Sequence, residues 1–107
     1  MSDYIPDRWV ILEMTVDLRT THKVFGGWYG GYTTGDSWRM NSGIKEIIDN
    51  GDCYDIIGYS GSVYKCEKVH EGMSFYMSGL LSNWNEQAKK EGLAEIKVIN
   101  MKDYYNE

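Results

Sequence analysis

Gly30 to Ser37, GGYTTGDS, has the G-x-x-x-x-G spacing of a phosphate-binding loop, but Asp36 stands where that loop needs its lysine. A carboxylate there would repel phosphate oxygens, so the stretch reads as a flexible connection between strands. Gly35-Asp36-Ser37 also matches the first letters of the GDSL hydrolase motif, in which serine is the nucleophile. Trp38 replaces the leucine, and neither His22 nor His70 has an aspartate three residues before it. The base and its orienting carboxylate are therefore not legible in the motif.

Metal chemistry is no better supported. Cys66 and His70 are four residues apart and form half of a site, with no second pair at a matching spacing. Placing Asn50-Gly51 and Ser60-Gly61 as two-residue hairpin turns sets Glu46 opposite Asp55 and Asp55 opposite Cys66. Two facing carboxylates could serve acid-base chemistry, although relief by Lys45, Lys65 or Lys68 on a solvated face is the plainer reading.

What remains is an aromatic and glycine-rich population. Trp28, Tyr32 and Trp38 lie in one stretch with Asp36, Arg39 and Asn41, and Tyr59, Ser60, Ser62 and Tyr64 arrive from the second hairpin. Such residue types are enriched in adaptable binding surfaces, and an arginine among rings suits a flat anionic ligand through stacking and phosphate contacts. These ten residues are the candidate ligand-binding set; no catalytic residue, metal ligand or cofactor is assigned.

These residues must be positioned by a small fold. A chain of 107 residues suits a single domain, 1–107, and 42% hydrophobic content is enough for one core. A net charge of −5 argues against general nucleic-acid binding, which needs a basic field. No apolar run approaches a membrane span and the acidic start does not read as a signal peptide, so a cytoplasmic product with two free cysteines is expected. Arg8–Val16 alternates with period two and predicts a strand with one well-buried face; His22–Tyr29 predicts a second, whose Gly26-Gly27 pair suggests a bulge or a close backbone approach. Residues 37–49, 53–59 and 62–69 predict a three-stranded meander. Tyr76, Met77, Leu80, Leu81, Trp84 and Ala88 recur at helical spacing between Ser74 and Gly92, and 93–101 returns to strand alternation before a polar, frayed tail. The expected class is α+β: an antiparallel sheet of about six strands, ordered βββββαβ, with one helix on one face.

At YIPDRWVILEM, KVFGGWYGGYTTGDSWRMNSGI and GYSGSVYKC the chain resembles a family of small proteins encoded by large tailed bacteriophages, over roughly residues 4 to 88. The resemblance implies a setting, the cytoplasm of an infected bacterium, and by analogy a counter-defence role. Two versions of that role follow: a non-enzymatic protein sequestering a nucleotide-like signalling molecule, or an inhibitor docking on a host protein through an exposed aromatic patch. A small hydrolase is the third reading, and a homodimer covering an exposed sheet edge is compatible with any of them.

Overall fold

The computed structural model describes residues 3–30, 35–92 and 94–105. It contains strands β1 (Asp3–Tyr4), β2 (Arg8–Val16), β3 (Arg19–Trp28), β4 (Ser37–Met40), β5 (Ile44–Asp49), β6 (Cys53–Gly58), β7 (Val63–Glu67) and β8 (Ala94–Ile99). Helix α1 spans Phe75–Glu91, and a short α2 spans Met101–Tyr105. The class is α+β as expected, but the strands form two four-stranded sheets, β1-β7-β6-β5 and β4-β3-β2-β8, in place of one sheet of about six.

The second sheet is the middle layer. On β2, Val10 and Leu12 pack with Phe25 of β3 against Met77 and Leu81 of α1. Trp9 and Ile11 point the other way, and pack with Val24 against Ile56, Tyr64 and Cys66 of the first sheet. The run Trp9 to Leu12 is thus buried on both faces, not one. A strand covered on two sides reads as a continuous apolar stretch because neither face can be polar. Each fully buried side chain of this size contributes on the order of 1.5–3 kcal/mol.

Helix α1 is bounded as the sequence predicts. Ser74 Oγ accepts from the Met77 amide at 3.2 Å, and Gly92 closes the helix at φ 65°, where a side chain would be strained. The sheet register departs from expectation at both hairpins. Asn50 pairs with Cys53, so the turn is Gly51-Asp52, with Gly51 at φ 93°, and Glu46 lies opposite Ile57. In the next hairpin Gly58 N–H donates to Ser62 O across three residues, with Gly61 at φ 95°. That extra residue flips the pairing: Tyr54 lies opposite Cys66 in the core, and Asp55 opposite Lys65 outside. The Glu46–Asp55 carboxylate pair does not form.

Residues 37–49 are two strands, not one. β4 joins the middle sheet and β5 the outer one, with the Asn41–Gly43 turn passing between them. The C-terminal tail is also more ordered than its polarity suggests. Met101 is buried, and Tyr104 and Tyr105 lie against His22 and Tyr54. No helix among the described residues is long and apolar enough to cross a membrane.

Candidate functional site

The glycine pair of β3 does two different jobs because successive residues face opposite layers. A Cβ at Gly27 would lie 2.5 Å from Met77 Sδ, so its absence lets α1 approach the sheet. A Cβ at Gly26 would lie 3.0 Å from Pro6 Cβ, so its absence lets the N-terminal segment cross the other face. That segment is tied down by one main-chain and one side-chain bond: Asp7 N–H donates to Gly27 O at 2.9 Å, and Tyr29 N–H to Asp7 Oδ2 at 2.9 Å. Trp28 Nε1 donates to Ile5 O at 2.9 Å, which fixes the indole against the entering strand.

This arrangement brings Tyr4, Trp28 and Arg39 together. Tyr4 pairs in parallel with Tyr64 on β7, and their rings lie 5.0 Å apart. Trp28 meets the Tyr4 ring edge-on at 6.3 Å. On β4, Ser37 lies opposite Trp28 and Arg39 opposite Gly26, so the Arg39 guanidinium reaches over Tyr4 at 4.6 Å. The result is an open groove of about 260 Å³ bordered by Tyr4, Trp28, Ser37, Trp38 and Arg39. Among the described residues no carboxylate lies within ion-pair distance of Arg39. Burial pushes the Tyr64 hydroxyl up to about 12, with the nearby Arg39 charge acting in the opposite direction. Tyr64 is buried against Tyr4 and neutral at neutral pH.

The rest of the candidate set is distributed elsewhere. Trp38 borders the groove, but its ring meets Phe25 at 6.0 Å and Trp84 of α1 at 4.8 Å, on the helix side. Adjacent residues of a strand face opposite ways, so the Trp38 ring packs on the helix side while the Arg39 guanidinium reaches over Tyr4. Asp36 Oδ1 accepts from Gly30 N–H at 3.1 Å, closing the base of the glycine loop. Tyr32 lies outside the described residues. Asn41 is buried: its Oδ1 accepts from the amides of Val24 (3.0 Å) and Gly43 (3.3 Å), and its Nδ2 donates to Gly43 O (3.3 Å). Tyr59 and Ser60 sit at that same turn, where Ser60 N–H donates to Ser42 Oγ at 3.0 Å. Ser62 belongs to the hairpin end, its carbonyl accepting from Gly58.

Tyr4 escaped the sequence reading because its partner strand lies about sixty residues away and pairs in parallel, which no local pattern announces. A second cluster joins a local hairpin pair to the distant C-terminal helix α2. Glu13 and His22 are cross-strand neighbours with Nε2–Oε1 at 3.2 Å, and the His22 ring lies 4.6 Å from Tyr104. His22 and Tyr104 flank a 290 Å³ hollow reached by Tyr59 and Ser42.

The two routes to other chemistry gain no support from the geometry. Cys66 is buried, and burial pushes its thiol up, away from the reactive thiolate. Cys53 lies one pairing position over on the opposite face, and among the described residues no three His, Cys, Asp or Glu side chains are grouped to hold a metal. His22 is bonded to Glu13 and His70 lies 3.5 Å from Glu67, and among the described residues no hydrogen bond joins either imidazole to Ser37. No family model, no curated protein and no solved structure matches the chain.

Proposed function

We propose that this chain is a non-enzymatic binding protein whose Tyr4–Trp28–Arg39 groove takes a flat, anionic, nucleotide-like molecule. The observation that carries the reading is the placement of Arg39 over an aromatic ring beside a second ring, with no carboxylate among the described residues within ion-pair distance of it. Rings and guanidinium together supply stacking for a base and a bidentate donor for phosphate. A groove of about 260 Å³ is small beside ordinary ligand pockets, which run from about 300 to 1,000 Å³. It therefore suits partial enclosure of one base, with the phosphate left toward Arg39 and solvent. The phage resemblance supports a counter-defence setting in the host cytoplasm, in which sequestering a nucleotide messenger is the role.

Isothermal titration against mononucleotides and cyclic dinucleotides tests this. One ligand should bind the parent chain, and Arg39→Ala should weaken it by roughly tenfold or more, as loss of one charge-assisted contact does. Failure of the whole panel to bind the parent chain would overturn the reading.

A second reading rests on a separate observation. Phe75 is 99% exposed and Tyr29 59% exposed, and both line an open groove with Met73 and Arg8. Exposed aromatic residues around an arginine are the composition of a protein-binding hot spot, so inhibition of a host protein is the alternative. Under that version Phe75→Ala abolishes capture of one host protein from lysate, while Arg39→Ala leaves it intact.

A further inference from the structure

β8 is an outer strand: it pairs with β2 in unbroken register from Ile11↔Ile99 to Val16↔Ala94, and no strand pairs with its other side among the described residues. The other sheet edges are blunted. β1 has two residues, β4 has four, and β5 carries a register shift between Ile44 and Glu46. A straight six-residue edge presents a row of unpaired N–H and C=O groups that a further strand can take up. Beside it lies a concavity of about 660 Å³ lined from both faces of the strand, by Ala88 and Lys89 of α1 with Ile96, and by Thr15 with Glu95 and Lys97.

We propose that this edge pairs with β8 of a second copy of the chain, antiparallel and centred on Ile96. Residues directly opposite in a sheet share a face, so the pairings that keep helix side with helix side are centred on residue 95, 96 or 97. Centring on Glu95 sets glutamate against glutamate, and centring on Lys97 sets lysine against lysine. Centring on Ile96 sets Glu95 of each copy against Lys97 of the other, forming two opposite-charge pairs. Both side chains are accessible, at 67% and 58% exposure, and share one face of β8 with their charged atoms 3.9 Å apart. The same register covers Val98, which is 40% exposed, and joins the two middle sheets into one of eight strands. This inference is independent of the ligand groove, which lies at the β4 edge of the same sheet.

Sedimentation equilibrium over a range of concentrations tests it. The parent chain should show a monomer–dimer equilibrium. Glu95→Lys or Lys97→Glu alone creates like-charge pairs and should raise the dimer dissociation constant about tenfold or more. The combined E95K/K97E chain restores two opposite pairs in reversed order and should return close to the parent value. All these side chains are exposed, and thermal unfolding of each variant verifies that the fold is intact. A parent chain that stays monomeric at millimolar concentration, or a dimer unmoved by the single reversals, would overturn the proposal.

Discussion

Arg39 and Tyr4 join the two sheets at one end of the molecule: the guanidinium of a β4 residue lies 4.6 Å from the ring centroid of a β1 residue. The contact is partly solvated, so it is expected to contribute about 0.5–1 kcal/mol. A double-mutant cycle of Tyr4→Leu and Arg39→Ala in urea unfolding should show a coupling of about that size, and Tyr4→Phe should retain it because the ring face is kept. Strict additivity of the two single losses would mean that the sheets are held at this end by packing alone.

Asn41 separates a structural from a ligand-binding role. Its amide makes three hydrogen bonds to main-chain groups of Val24 and Gly43, and it is 5% exposed. Asn41→Ala strands the Val24 amide in a buried site and should cost about 2–3 kcal/mol of unfolding free energy. Ligand affinity at the Arg39 groove should be unchanged in the fraction that remains folded. Loss of affinity with full stability would instead return Asn41 to the binding set.

The close approach of α1 depends on Gly27. Gly27→Ala places a methyl 2.5 Å from Met77 Sδ and should destabilise by about 1–3 kcal/mol through overpacking. Met77→Ala alone leaves a cavity and should cost about 2–5 kcal/mol. The double variant should be more stable than the sum of the two losses implies, because the added methyl enters the space the sulfur vacated. Chemical denaturation of the four chains measures this directly.

How much of this was legible follows from the range of each interaction. Helix α1 and its two caps were readable because a helix is specified by neighbours within a few residues: Ser74, the apolar stripe and Gly92 sit in one window. The strand at Arg8–Val16 was also readable, but its period-two alternation pointed to one buried face, whereas the apolar run Trp9 to Leu12 is buried on two. The hairpin registers were not, since a third loop residue at Tyr59–Gly61 changes every partner downstream while leaving composition unchanged. For the site, strand alternation alone separates Trp38 from Arg39. What no local pattern supplies is Tyr4, which reaches the groove by parallel pairing with β7.

Tyr64 gives the fold a dependence on alkaline pH. It is 1% exposed and neutral, with its hydroxyl pushed by burial from 10.0 to about 12. An acid whose folded value is raised contributes stability that is fully present below the unfolded value and is lost as pH rises toward the folded one. Unfolding free energy should therefore fall between pH 10 and about 12, as the unfolded chain releases a proton that the native chain keeps. Tyr64→Phe removes the titrating group, so its stability should fall less steeply across that window even if its value at pH 7 is lower. Tyrosinate absorbance should show the same event as a late step in the native parent chain that is missing from Tyr64→Phe. Equal alkaline slopes for the two chains would mean that Tyr64 ionises without hindrance and that its site is open to water.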